Sequence, residues 1–338
     1  MFEAQSNLSP YAQRPTYTEE QLDKFFGRLG SKPRITLASF KQEIQHDPLK
    51  ALKKLQILAA AFIPWTSVSL HYSTHHTLSL DPNMLYHKIV ERQLGGYCME
   101  NNTFMFTVLH SLGYDCYITG ARISDALEGP PSEGFRGWSH QTTIVTLGPH
   151  KYAVDIGLGA QCAIEPLLLE EGAEASGVPG VTQRLVRRRI APFTTRDQTM
   201  WVIQMHLAQE QDSEPCSEEQ QQTDDTRWSN VCCFDENEWL PQDFEIINYH
   251  TSRDPRSMFT YRVLATKPIL SDEADDVIGV YILVNDEITK RSGKYGKKEV
   301  LRKCESEEDR VDALARWLDM KLTTEEVAGI KGRATEIK

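Results

Sequence analysis

Long apolar runs are missing from this sequence. The best, ILAAAFIPW over residues 57–65, falls far short of the ~20 residues that a membrane-spanning helix needs. The opening MFEAQSNLSPYAQRPTY is polar and carries prolines, so no secretory leader is expected. Positive charge is also scarce: 37 Lys and Arg stand against 48 Asp and Glu, for a net charge of −11. That balance disfavours nonspecific attraction to nucleic acid or an anionic membrane. The seven cysteines are odd in number and scattered, with no CxxC pair. A disulfide framework is therefore not expected, and a reducing, cytoplasmic setting is. There is no Walker A loop, no dinucleotide-binding glycine fingerprint and no internal repeat.

What remains is ordinary globular composition, with 40% hydrophobic and 25% charged residues among 338. That length suits two or three packed units. Residues 1–15 read as a mobile arm. Thr18 and Gln21 form a capping signal, and Leu22, Phe25, Phe26 and Leu29 recur at helical spacing before Gly30, a C-cap candidate. Helices are predicted over 37–63, interrupted near Pro48, over 82–96, and over 98–112. SLHYSTHHTLSL (69–80) reads as an irregular strand. After Gly113 the pattern shifts to short β-branched segments at DCYITGARIS, SHQTTIVTLG, HKYAVDIGLG, QRLVRRRIAPF and MWVIQMHLA, which suggest an antiparallel sheet or small barrel. Residues 208–227 are acidic, Gln-rich and poor in apolar groups, and read as a flexible insertion. Further strands follow, then a helix over 307–321 with Ser306 as its cap. The division is 1–113 helical, 114–240 β-barrel and 241–338 α/β, an α+β protein.

Cys98 follows two glycines in LGGYCMENN and opens a predicted helix. A buried apolar cysteine is the common outcome at such a place. A nucleophile is the other, since a helix start or a neighbouring imidazolium favours the thiolate. His140, at the head of a strand pattern, is the candidate base. Asp155 comes 15 residues later, one hairpin away. A lone carboxylate in an apolar strand needs a partner, and orienting a histidine supplies one. The alternative for Asp155 is a turn cap before Gly157. His71, His75 and His76 lack the Cys or carboxylate that would complete a metal pattern, so no metal is expected. SGKYGKK (292–298) reads as a hairpin turn with solvated lysines.

GGYCMENN, SHQTTIVTL and YAVDIGLGAQ…EPLLL resemble, in order and spacing, the arylamine N-acetyltransferase family. DFEIINYHTSRDPRSMF and EEDRVDALARWLDM resemble its downstream blocks, so the likeness runs from about residue 17 to 325. The long insertions are similar to the fungal branch, some of whose members resemble malonyltransferases. The resemblance implies an N-terminal helical bundle, a central antiparallel β-barrel and a C-terminal α/β lid around a papain-like or transglutaminase-like core. It implies a Cys98–His140–Asp155 triad and ping-pong transfer of an acetyl or malonyl group from acyl-CoA, a cosubstrate and not a bound cofactor, to an arylamine or arylhydrazine. It further implies a pocket at Gly137, Leu158, Gly159, Arg256, Ser257 and Phe259. Arg256, where the family has a small residue, is the candidate partner for a malonyl carboxylate or a CoA phosphate. Leu94 stands where the family has arginine, and IPWTSVS replaces its Pro-Phe-Glu-Asn block. A cysteine hydrolase or amidase using the same triad is the alternative, and a metabolite-binding scaffold without catalysis is the third class.

Overall fold

Local signals in the sequence start the first helices. Thr18 and Gln21 form a complete capping box for α1 (Glu19–Phe26). Its C-cap is Gly27; Gly30, in the left-handed region at φ 69°, lies three residues further on. Thr36 caps α2 (Leu37–His46), and Asp47 ends that helix and caps α3 (Pro48–Phe62). Pro48 is a break between two helices because a first-turn proline has no N–H to lose. This is a computed structural model, and it describes residues 14–30, 34–127, 133–208 and 227–338. Most of the expected N-terminal arm and nearly all of the 208–227 insertion lie outside the described residues.

Two residues after α3, Trp65–Thr66 form β1. The predicted strand over 69–80 is not one. Val68–His71 is a short helix, α4, and the chain beyond it is irregular. Its apolar residues serve packing instead: Leu70 is buried, Leu78 and Leu80 pack beside it, and the Leu78 carbonyl accepts a hydrogen bond from Asn248 at 3.0 Å. Next comes α5 (Pro82–Tyr86), continued by a wider π turn over His87–Glu91. Helix α6 (Cys98–Ser111) is buried on nearly every side, as befits a helix at the centre of a molecule.

Strands β2 (Asp115–Ser124), β3 (Phe135–Leu147), β4 (His150–Val154), β5 (Leu167–Leu168), β6 (Glu174–Ser176), β7 (Val181–Arg188), β8 (Met200–Leu207) and β9 (Ser229–Phe234) form one antiparallel sheet in the order β5-β4-β3-β2-β9-β8-β7-β6. Its two end strands lie beside each other, and Ala163 bridges to Gly177, so the sheet nearly closes on itself. Such closure protects edges that would otherwise pair with other chains.

Helix α7 (Pro241–Arg253) was not expected. Ile246 and Tyr249 on its outer face are exposed and blur its amphipathic pattern. After the short α8 (Met258–Tyr261) come β10 (Leu264–Leu270), β11 (Val277–Val284), β12 (Glu287–Ser292) and β13 (Lys297–Lys303). They form a second antiparallel sheet whose first strand is β1, with Trp65 opposite Thr266. A piece of the helical third thus belongs to the C-terminal sheet. Helix α9 (Glu307–Leu318), capped by Ser306, packs on that sheet, and α10 (Thr324–Ala328) follows. The whole is α+β. Among the described residues no helix is long and apolar enough to cross a membrane.

Candidate active site

The start of α6 is prepared by the residues before it. Gly95 has φ 64°, and a Cβ there would lie 2.1 Å from the Pro64 carbonyl oxygen. A Cβ on Gly96 would lie 2.6 Å from that of Glu100. The chain can therefore turn tightly into the helix only with glycine at both places. Glu100 is fully buried at the third helical position. Its carboxylate accepts from the Tyr97 N–H at 3.2 Å and pairs with Lys88 at 2.6 Å. These contacts fix Cys98 as the first helical residue, 3% exposed, with Sγ 3.8 Å from the Ser139 carbonyl oxygen.

The large sheet supplies the partners. Pairing of β3 with β4 sets Thr143 opposite Val154, which brings His140 and Asp155 to one end of the hairpin. His140 Nε2 is 2.6 Å from Asp155 Oδ2. This leaves Nδ1 as the ring nitrogen available to the Cys98 thiol, which lies close enough to raise the proton affinity of the ring. Burial acts to lower the imidazole pKa. The charge of Asp155 and its hydrogen bond, then the thiol, outweigh it and raise the pKa from 6.5 to about 10. The imidazolium is thus the stable form at neutral pH.

Two further residues hold this arrangement, and the sequence reading missed both as participants. Asn102 lies one turn along α6 from Cys98, on the same face. Its Nδ2 donates to Asp155 Oδ1 at 2.9 Å and to the Gln141 carbonyl at 2.5 Å, while its Oδ1 accepts from the Ile156 N–H at 2.9 Å. The Gly157 N–H donates to Asp155 Oδ1 at 2.7 Å. A Cβ on Gly157 would lie 2.8 Å from the Cys98 α-carbon and 2.7 Å from Asn102 Nδ2. The absence of a side chain at 157 is what lets the carboxylate loop press against the cysteine helix. The i, i+4 spacing of Cys98 and Asn102 was the available signal.

Cys98 and His140 open onto a cavity of about 700 Å³ between the large sheet, α7 and the second sheet. Gly137, Leu158, Arg256, Ser257 and Phe259 line it. Phe259 packs edge-on against Trp65 and Tyr97. Gly159 stands behind the wall, with φ 59° and its α-carbon turned toward the Trp65 ring and the Thr266 hydroxyl. The Arg256 side chain is 86% exposed, and its guanidinium is bonded to Asp254 at 2.7–3.3 Å. Leu94 is buried among Val68, Tyr72 and Leu314. Arg92 does not fill in beside it, because it pairs with Glu326 at 3.0 Å. His71, His75 and His76 do not converge: among the described residues no three His, Cys, Asp or Glu side chains are grouped to hold a metal.

A helical unit, a nearly closed antiparallel sheet and a second sheet meet around a thiol, an imidazole and a carboxylate, and the family and relatives that this chain matches make it an acyltransferase. The chain belongs to the N-acetyltransferase family, whose sequence profile matches residues 48–327. It is 33% identical over 331 residues to the N-malonyltransferase FDB2 of Fusarium pseudograminearum, covering 94% of this chain and 93% of that one. Its fold is similar to that of the arylamine N-acetyltransferase from Salmonella typhimurium, with a TM-score of 0.69, 19% identity, and 93% and 98% of the two chains covered. It is also similar to the Mycobacterium marinum arylamine N-acetyltransferase in complex with CoA, with a TM-score of 0.63, 21% identity, and 85% and 90% covered.

Proposed function

We propose that this acyltransferase moves an acetyl or malonyl group from acyl-CoA to an arylamine or arylhydrazine by a ping-pong mechanism on Cys98. The observation that carries the reading is the contiguous cluster Cys98–His140–Asp155 at the floor of a 700 Å³ cavity. The Cys98 thiolate forms a bond to the thioester carbonyl carbon. The oxyanion that results lies at the first turn of α6, whose unpaired N–H groups favour negative charge. As the carbon–sulfur bond to CoA breaks, imidazolium His140 gives its proton to the leaving thiolate. The amine nitrogen then attacks the acyl-enzyme, His140 takes the nitrogen's proton, and the Cys98 thiolate leaves. Asp155, held by Asn102 and the Gly157 N–H, keeps the ring oriented throughout.

A malonyl donor is supported by the name of the relative at 33% identity, and CoA by the complex formed by the M. marinum enzyme. Six of the seven cysteines are described and all six are free thiols, which supports a reducing, cytoplasmic setting. The test is intact-mass analysis after mixing with acetyl-CoA or malonyl-CoA and no amine. One acyl group should appear on Cys98 and leave when an arylamine is added. Continuous CoA release without amine would instead mark a hydrolase.

A further inference from the structure

We propose that Arg262 is the guanidinium that receives an anionic oxygen group of the donor: a phosphate of CoA or the terminal carboxylate of a malonyl group. The proposal rests on the acyl-CoA reading above. Arg136, His140, His250, Arg256 and Arg262 are the cationic or protonatable side chains lining the cavity. The first four each face a carboxylate: Arg136 is 3.4 Å from Asp125, His140 is 2.6 Å from Asp155, and His250 and Arg256 are 3.5 and 2.7 Å from Asp254. Arg256, the arginine singled out in the sequence, is thus already occupied. No carboxylate pairs with Arg262 among the described residues; its contact is with the neighbouring Tyr261 ring, 5.4 Å from Cζ.

Its surroundings make that uncompensated charge useful. Arg262 is half-buried, and Leu264 and Val284 line the cavity with it. An ion pair formed beside apolar walls is stronger than one in water, and a partly buried cation without a partner is costly until an anion arrives. The chain as a whole carries a net charge of −11, so a polyanionic donor needs a local positive group to hold it. The backbone at Arg262 is fixed on both sides. Its N–H donates to the Met258 carbonyl at 3.0 Å, and its carbonyl accepts from Ser67 Oγ at 3.0 Å and His71 Nε2 at 2.9 Å. Only the side chain is left to respond to a ligand.

The test is steady-state kinetics of Arg262→Gln and Arg262→Lys with four donors: acetyl-CoA, malonyl-CoA, and the acetyl and malonyl thioesters of N-acetylcysteamine, which carry no phosphate. Loss of a charge-assisted contact should raise the affected donor KM roughly 10- to 100-fold in Arg262→Gln, with kcat changing less. A rise for both malonyl donors alone identifies the carboxylate. An equal rise for both CoA donors alone identifies the phosphate. Arg262→Lys should recover more with a phosphate than with a carboxylate, because only the planar guanidinium grips a carboxylate with two parallel bonds. Unchanged KM for all four donors, or a uniform rise for all four, overturns the assignment while wild-type turnover stands. Absence of wild-type turnover with every donor overturns the acyltransfer reading itself, and this assignment with it.

Discussion

His140 and His71 are both buried, at 1% and 0% exposure, and their proton affinities move in opposite directions. Both are taken out of water, which favours the neutral ring in each. His140 has a carboxylate on one nitrogen and a thiol near the other, and its pKa rises to about 10. His71 has none of this. Its Nε2 lies 3.0 and 2.9 Å from the carbonyls of Phe259 and Arg262, and its Nδ1 lies 3.0 Å from the Thr335 hydroxyl. Burial and the nearby Arg333 push its pKa down to about 4, against the smaller pull of the two carbonyls. The neutral ring therefore donates from Nε2 and accepts on Nδ1. In the proposed mechanism one histidine carries protons at the reacting group; the other ties the C-terminal segment to α8, which lines the cavity. The partners decide between these roles, and burial does not.

The proposed chemistry of the His140 side and the architecture of the His71 side can each be broken by substitution. The largest effect is expected from Cys98→Ala. Arylamine acylation should fall by on the order of 10⁴-fold or more, with the thermal midpoint close to wild type. A variant that kept a tenth of the wild-type rate would remove the thiol from the mechanism. Next is Asp155→Asn, which keeps the shape and loses the charge. Its rate should drop by on the order of 10³- to 10⁴-fold, because the ring is then free to take the wrong tautomer. Both would be followed by CoA release in the presence of amine.

The sequence made the His140 side legible and left the His71 side obscure, for physical reasons. Cys98, His140 and Asp155 are residue types that are hard to place without partners, so their spacing carried information. The capping box at Thr18 and the N-cap at Ser306 did the same for helix starts. Asn102 and Gly157 escaped because an asparagine inside a helix and a glycine after an aspartate both have commonplace explanations; only the close approach of two distant segments reveals them. Helix α7 escaped because Ile246 and Tyr249 interrupt its polar outer face, and 69–80 differs because its alternation serves packing. Arg256 stands out in the sequence as a charge in a place for small residues, while in the structure it is paired with Asp254, two residues away.

A smaller effect is expected from His71→Leu. The carbonyls of Phe259 and Arg262 would lose a buried donor and Thr335 an acceptor, at a cost of about 2–4 kcal/mol in urea unfolding. The folded remainder should keep a kcat within several-fold of wild type. A stability loss below about 0.5 kcal/mol, the range of neutral surface changes, would mean that the C-terminal segment is not held there.

The smallest effect, and the one that reads the comparison most directly, is the pH dependence of stability. A group contributes to stability only where its folded and unfolded proton affinities differ in consequence. His140 has a folded pKa raised above 6.5, so its contribution is complete below pH 6.5 and is lost as pH rises through about 10. His71 has a folded pKa depressed to about 4, so its contribution is complete above pH 6.5 and is lost as pH falls through about 4. Unfolding free energy measured between these limits should therefore show an alkaline limb to which His140 contributes, beside the buried cysteines and tyrosines whose pKa values are raised, and an acid limb to which His71 contributes, beside the carboxylates whose pKa values are lowered. Cys98→Ala removes one of the groups that raise the His140 pKa, so the alkaline limb should begin at lower pH while the acid limb stays in place. His71→Gln retains a donor and cannot protonate, so the acid limb should flatten while the alkaline limb stays. If either substitution shifted the other's limb, the two sites would be coupled across α8 and its C-cap Arg262, which His71 supports, and the division into a chemical side and an architectural side would fail.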